Sequence, residues 1–240
     1  MILDLFSLPI YKVKLEGFNL ELIKDFLKDE FERSSYRLSP LEKNGGVSTY
    51  STNNQLHNSE PLTELTNEIK KHIQIYWKIL GIDDRLYPTI NQCWANIHKR
   101  NSITLQHSHS LMPIVATFYV QADPGSGGLV LTNPMEYGLT HIPFSTVIED
   151  KIETVINIET GNLVLFPGWI RHKTEENLSN SDRIVLSYNV VYGGNYLDTD
   201  SKYPDISKAE PANSEVNYLR NQVANLEFII DNLKRNLHGA

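Results

Sequence analysis

Residues 161–172 read GNLVLFPGWIRH and carry the clearest structural signal in the chain. Gly161-Asn162 is a turn signal, Leu163 to Phe166 is an apolar run, and Pro167-Gly168 marks a second turn. A short apolar run between two turns predicts a buried strand. His172 then stands at the start of the next strand, so the segment predicts a histidine at the edge of a sheet.

Similar short runs surround this segment, and turn signals such as Asp123-Pro124-Gly125 separate them. Many short strands at close spacing predict a sandwich or barrel of jelly-roll type. The fold class is therefore mainly β with flanking helices. The other predicted strands are Cys93 to Ile97, Ile103 to Gln106, Ile114 to Gln121, Gly128 to Leu131, Thr154 to Ile158 and Arg183 to Tyr192.

Two helices precede the strands. Asn19 is a candidate cap for the first helix, whose apolar residues recur on one broad face. Ser59, with Pro61 in the first turn, begins the second helix, and Gly81 ends it. Two helices in this position can cover one face of a sheet.

Composition excludes some classes of protein. The 240 residues are 40% hydrophobic and 21% charged, which suits one globular domain with an appendage. The net charge of -7, without a basic stripe, disfavours a nucleic-acid partner. The single cysteine, Cys93, fits a reducing compartment. Neither a secretory signal nor a long apolar run is evident, so we expect a cytoplasmic protein without a membrane partner.

The chain divides into three parts: a β domain with two helices at 1–195, a linker at 196–213, and a C-terminal amphipathic helix at 214–238. Val216, Val223 and Ile230 alternate with leucines in an a/d heptad pattern. This pattern predicts a homo-oligomer formed through a coiled coil. The alternative is a helix that packs on its own domain.

Three histidines are candidate metal ligands. His107 and His109 would share one face of a strand, because residues i and i+2 point to the same side. His172, at the start of another strand, can meet them around one ion. The alternative is a set of surface or core histidines without a metal.

Arg183 lies eleven positions beyond His172, at the start of a predicted strand. Alternation places Arg183, Val185, Ser187 and Asn189 on one strand face. A guanidinium facing the lumen would need an anion, and its planar donors match a carboxylate. An ordinary surface arginine is the competing interpretation.

Asn96 and Tyr119 are further candidates for binding a cosubstrate. Asn96 shares a predicted strand face with Trp94 and His98. A polar residue that only supports strand pairing would look the same. Tyr119 is one of 12 tyrosines, so the sequence selects it weakly.

The sequence resembles the 2-oxoglutarate/Fe(II)-dependent oxygenase superfamily, and within it the small bacterial and phage oxygenases. The resemblance spans roughly residues 2 to 192. The segments that carry it are Leu5 to Tyr11, Trp94 to Ile97, His107 to His109, Phe118 to Val120, Leu163 to His172 and Arg183 to Asn189.

This resemblance implies a double-stranded β-helix (cupin-like jelly roll) with Fe(II) on His107 and His172 and a third ligand at His109. It implies 2-oxoglutarate as cosubstrate, with its C5 carboxylate on Arg183, and O2 as the second cosubstrate. Two departures stand out. His109 replaces the usual carboxylate ligand, and Val185 stands where the superfamily often has Ser or Thr, with Ser187 further along.

The resemblance implies hydroxylation of a peptide side chain, such as prolyl, or of a small molecule. A nucleobase-oxidising enzyme of the same superfamily is one alternative. A non-catalytic, cupin-like oligomeric module that holds a metal is the other. Turnover of 2-oxoglutarate distinguishes an enzyme from such a module.

Overall fold

The computed structural model describes residues 7–33, 41–82, 86–136 and 152–193. They form two helices, α1 (Leu20–Arg33) and α2 (Thr63–Ile79), and eleven strands. The predicted linker and C-terminal helix lie outside the described residues. The strands are β1 (Tyr11–Lys14), β2 (Glu42–Lys43), β3 (Val47–Ser48), β4 (Tyr87–His98), β5 (Ile103–Thr104), β6 (Ile114–Gln121), β7 (Leu129–Thr132), β8 (Glu153–Ile156), β9 (Asn162–Phe166), β10 (His172–Thr174) and β11 (Arg183–Gly193).

The larger strands form two antiparallel sheets. The major sheet has six strands in the order β1-β9-β6-β11-β4-β3, and the minor sheet has the order β10-β7-β8. A short pair, β2 with β5, stands beside them. Side chains of β6, β9 and β11 share one hydrophobic cluster with side chains of β7, so the two sheets face each other. This is the predicted jelly roll, a double-stranded β-helix.

The central strand β6 is buried on both faces. Ala116, Phe118 and Val120 belong to the core under the helices, whereas Val115 and Tyr119 belong to the cluster between the sheets. Two buried faces explain why the sequence of this strand is an almost continuous apolar run instead of an alternating one.

The side chains of strand β11 likewise alternate between two buried faces. Ile184, Leu186 and Tyr188 pack in the core under the helices, and the intervening residues face the minor sheet. Arg183, Ser187 and Asn189 belong to that second set, together with Val185. All four are buried, so the polar members of this face lie inside the protein.

The two helices cover the outer face of the major sheet. Asn19 caps α1 as predicted, since its Oδ1 accepts from the backbone N–H of Leu22 at 3.1 Å. The predicted start of the second helix at Ser59 is too early. α2 begins at Thr63, because a tight turn at Glu60–Leu62 precedes it. No described helix has the length and apolar composition that a membrane span requires.

The turn before β9 requires glycine. Gly161 has a φ of +86°, and a Cβ there would lie 2.9 Å from the carbonyl oxygen of Leu15. Its N–H donates to the carbonyl of Tyr119 at 2.8 Å. The close turn places β9 between β1 and β6 and starts the segment that ends at His172.

Candidate metal and cosubstrate site

Three histidines line a cavity between the two sheets. One ligand atom from each of His107, His109 and His172 lies within 4.8 Å of the other two. Their ring centroids are 4.3 to 5.1 Å apart. Imidazole nitrogens at this spacing can bind one divalent transition metal. The structure therefore brings together the three side chains that the sequence predicts as metal ligands.

The backbone, and not a shared strand, brings the histidines together. His107 and His172 form an isolated antiparallel bridge, and the N–H of His109 donates to the carbonyl of Gly168 at 2.7 Å. The prediction that His107 and His109 lie on one strand is wrong, because β5 ends at Thr104. Both histidines instead pair with the segment 168–172.

Hydrogen bonds that Nδ1–H donates leave Nε2 of each histidine available to bind a metal. The Nδ1–H groups of His107 and His172 donate to the carbonyls two residues before them, Leu105 at 2.8 Å and Ile170 at 2.9 Å. Nδ1 of His109 lies 2.5 Å from Oδ1 of Asn189. An Nδ1–H that donates to oxygen fixes the tautomer and aims Nε2 at the ion, as in known histidine metal sites.

Burial keeps the three imidazoles neutral. It lowers the pKa of His109 to about 4 and that of His172 to about 3, and protonation of His107 would lower both further. The pKa of His107 is also lowered, again mainly by burial. Near pH 7 all three side chains are therefore in the form that binds a metal.

The cavity has a volume of about 340 Å³, within the range of small-molecule sites. Asn96, Tyr119 and Ser187 line it together with the histidines, whereas Arg183 is not among the lining residues. Trp94 stacks on the ring of His109, with their centroids 5.8 Å apart. The cavity thus combines the candidate ligands with an aromatic surface.

Arg183 is fully buried and bonded through most of its guanidinium. Nη1 donates to the carbonyls of Ser126 and Glu175, the latter at 3.1 Å. Nε lies 3.4 Å from Nδ1 of His98, which lines the cavity. Nη2 has no hydrogen-bond partner among the described residues. That atom is the one that remains for an anion, and a buried donor without a partner is costly.

A buried carboxylate lies beside this arginine. Glu42 accepts from the hydroxyl of Thr104 at 2.9 Å and lies 2.8 Å from Nε2 of His98. Burial lowers the pKa of His98, although Glu42 opposes that change. His98 is therefore neutral near pH 7 and bridges Glu42 to Arg183. The sequence did not indicate Glu42, because the two-residue strand β2 lies in a polar segment without a recognisable pattern.

The other predicted binding residues, Asn96, Tyr119 and Ser187, line the cavity. Oδ1 of Asn96 is buried and lacks a hydrogen-bond partner within the described part of the chain. Burial raises the pKa of the Tyr119 phenol, and Arg183 nearby opposes this. The phenol therefore stays protonated near pH 7 and can donate. Ser187 is the register partner of Thr117 across β11 and β6, and both residues line the cavity.

Residues 92–189 match the sequence model of a family described as "Putative 2OG-Fe(II) oxygenase". The match includes all seven residues that the sequence predicts for the site. Over this part of the chain the sequence is similar to the 2OG-Fe(II) oxygenase superfamily. The cofactors of this superfamily are Fe(II) and 2-oxoglutarate, and O2 is the cosubstrate.

Several solved structures are similar in fold to this chain. The alpha ketoglutarate dependent carbocyclase SnoK from nogalamycin biosynthesis aligns with a TM-score of 0.52 at 13% identity, over 77% of this chain and 79% of SnoK. HygX from Streptomyces hygroscopicus, solved with nickel, 2-oxoglutarate and hygromycin B, gives 0.49 at 13%, over 83% and 93%. A Pseudomonas putida prolyl-4-hydroxylase gives 0.48 at 13%, over 78% and 95%. No curated protein matches this chain.

The residues of this site fit the cofactors of the 2OG-Fe(II) oxygenases. Three neutral imidazoles form a ligand group suited to iron, although the usual site has two histidines and a carboxylate. Within the described residues the group has three members, which leaves coordination positions for other ligands. The buried Nη2 of Arg183, which has no partner in the described segments, fits a carboxylate.

Proposed function

We propose that this chain is a cytoplasmic Fe(II)- and 2-oxoglutarate-dependent hydroxylase, with His107, His109 and His172 as the iron ligands. The observation that carries the proposal is the histidine cluster on the cavity wall, in which each Nδ1 meets an oxygen and each Nε2 remains for a metal. Neutral imidazoles bind Fe(II) without a proton being released. The three ligands leave room for the cosubstrates.

Bound Fe(II) would supply the coupled chemistry, in which 2-oxoglutarate is decarboxylated to succinate while one oxygen atom of O2 is transferred to the substrate. The protein provides the positioning and the electrostatics. Arg183 would donate from Nη2 to the C5 carboxylate of 2-oxoglutarate, and the Tyr119 phenol would donate a second hydrogen bond. Asn96 and Ser187 would contact the cosubstrate further along the cavity.

The substrate that we propose is a peptide side chain, such as prolyl, or a small molecule. The cavity wall next to His109 includes the uncharged residues Trp94, Ser110 and Met112. These residues favour a substrate group without a charge. Tyr50 extends this surface, because its ring meets Trp94 edge-on with the centroids 5.0 Å apart. Aromatic faces of this kind bind apolar rings and chains.

An assay of succinate formation tests the proposal. Purified protein is incubated with Fe(II), ascorbate and 2-oxoglutarate, and succinate is measured with and without candidate peptides. We expect turnover by the wild type and none by His172→Ala. A protein that keeps its metal but neither binds nor consumes 2-oxoglutarate would be a metal-binding module, and the proposal would fail. If a nucleobase and not a peptide stimulates turnover, the proposed substrate class is wrong and the substrate is a nucleobase.

Residues 214–238 are the segment that we propose for self-association, on the basis of the heptad pattern alone. Deletion of this segment should lower the mass of the particle in solution. Light scattering on the full chain and on the truncated chain measures this. An unchanged number of subunits would reject the proposal.

A further inference from the structure

The three histidines differ in what holds their Nδ1–H groups. His107 and His172 donate to backbone carbonyls two residues before them, so no other side chain takes part in these two hydrogen bonds. His109 instead meets a side chain, Asn189, with 2.5 Å between Nδ1 and Oδ1. The histidine that stands where the superfamily usually has a carboxylate is thus the one whose orientation depends on a distant side chain.

The side-chain amide of Gln92 forms a hydrogen bond with Asn189. Nδ2 of Asn189 donates to Oε1 of Gln92 at 2.8 Å, and the two residues are direct partners across β11 and β4. Both line the cavity, and Asn189 is only 5% exposed. The two hydrogen bonds form a relay that runs from Gln92 through Asn189 to His109.

The direction of the hydrogen bonds in this relay decides which nitrogen of His109 can bind a metal. With Nδ2 donating to Gln92, Oδ1 of Asn189 faces His109 and accepts its Nδ1–H. Nε2 is then unprotonated and available. With the Asn189 amide reversed, Nδ2 would face Nδ1, which would have to accept. The proton would then reside on Nε2, and that nitrogen could not bind the ion.

We propose that Asn189, held by Gln92, is a positioning residue that keeps His109 in its metal-binding tautomer. This inference rests on the proposed function, because it needs His109 to be a ligand. Outer hydrogen-bond partners of metal ligands commonly change metal affinity by about 10–100-fold. The relay would give this three-histidine site a neutral amide in the role that a carboxylate has in many metal sites.

The test measures the binding of Co(II) alone to the purified full chain, by titration and by the visible spectrum of the bound ion. Asn189→Leu removes the acceptor, and we expect Co(II) affinity to fall about tenfold or more. Asn189→Asp restores an acceptor for Nδ1–H and should bind Co(II) at least as tightly as the wild type does. Gln92→Leu frees the amide to rotate and should weaken binding by a smaller factor, which Gln92→Glu should restore.

A control variant separates this effect from general loss of stability. Gln55→Leu removes another amide beside β4, where Nε2 donates to the carbonyl of Asn91 at 3.0 Å on the exposed surface. It should leave Co(II) affinity unchanged. Thermal unfolding of each metal-free variant confirms that it is folded. If Asn189→Leu does not fold, the comparison of Gln92→Leu with Gln92→Glu decides.

His109→Ala distinguishes the two proposals. If His109→Ala binds Co(II) like the wild type, His109 is not a ligand and the proposed ligand set fails. If His109→Ala loses Co(II) but Asn189→Leu and Gln92→Leu keep wild-type affinity and spectrum, the ligand set stands and the relay is overturned.

Discussion

His107 and His172 exchange two backbone hydrogen bonds, one in each direction, of 2.9 and 2.8 Å. The bridge is isolated and belongs to no named strand pair. It fixes the distance between two candidate ligands that are far apart in sequence. The geometry of the site therefore depends on the main chain at this bridge and on the segment 168–172 that leads to it.

Gly168 should be sensitive to the smallest substitution. A Cβ at this position would lie 2.4 Å from the carbonyl oxygen of Met112 and 3.1 Å from that of His109. Because backbone atoms must move to relieve these contacts, we expect Gly168→Ala to shift His109 and weaken Co(II) binding by about tenfold. Titration with Co(II) measures this. Trp169→Ala, at an exposed neighbour, is the control, and equal affinities for both variants would contradict the prediction.

Arg183 should have two separable roles. Arg183→Ala would leave the buried carbonyls of Ser126 and Glu175 without their donor, so we expect it to destabilise the fold by about 3 kcal/mol or more. Urea denaturation measures this loss. The alanine variant is therefore a poor probe of cosubstrate binding.

Arg183→Lys is the sharper variant, since it keeps the charge but loses the planar donors. We expect 2-oxoglutarate to bind the Co(II)-loaded lysine variant about 10–100-fold more weakly, as the loss of a charge-assisted hydrogen bond predicts. Co(II) affinity should stay nearly unchanged. Calorimetry measures both constants, and a parallel loss of metal and cosubstrate would argue against the assigned role.

Stability of the metal-free protein should fall in mild acid. The pKa of His109 is lowered to about 4 and that of His172 to about 3, whereas unfolded histidine titrates near 6.5. Below pH 6.5 the unfolded chain therefore binds more protons than the folded chain, so the free energy of unfolding decreases as the pH falls towards 4. Urea titrations with a chelator at several pH values measure the slope. A variant with glutamine at 107, 109 and 172 should show a shallower slope, and identical slopes would refute this origin.

Asn177 should be important for stability although it lies outside the cavity. Its side chain is fully buried, and Nδ2 donates to the carbonyls of His98 and Ser181, each at 2.8 Å. Its Oδ1 also accepts from Ser179. Asn177→Ala leaves these groups unpaired, so we expect a loss of about 2 kcal/mol or more in urea denaturation. Asn180→Ala, at an exposed position in the same loop, should cost much less.

The sequence predicts the fold well where a pattern repeats along one element. Strand β6 has the predicted bounds, because both of its faces are buried and all of its residues except the last are buried. The alternation of β11 places Ser187 and Asn189 on the cavity face, as predicted. Asn19 caps α1 because capping depends only on the next turn of chain.

Contacts between distant segments could not be predicted from such patterns. Glu42 approaches His98 across a loop of polar residues, and neither residue signals the other in the sequence. The bridge between His107 and His172 likewise depends on how two loops meet after folding. The sequence therefore indicates which histidines are candidates, whereas only the structure gives the reason that they converge.

The hydrogen bonds from His107 and His172 to nearby backbone carbonyls affect how the residues around such a site can change. Since the tautomers of these two histidines follow from the path of their own tripeptides, neighbouring wall residues can change without disturbing them. An evolving lineage, or a protein engineer, could reshape the wall around Trp94 to admit new molecules while most of the metal centre stays intact.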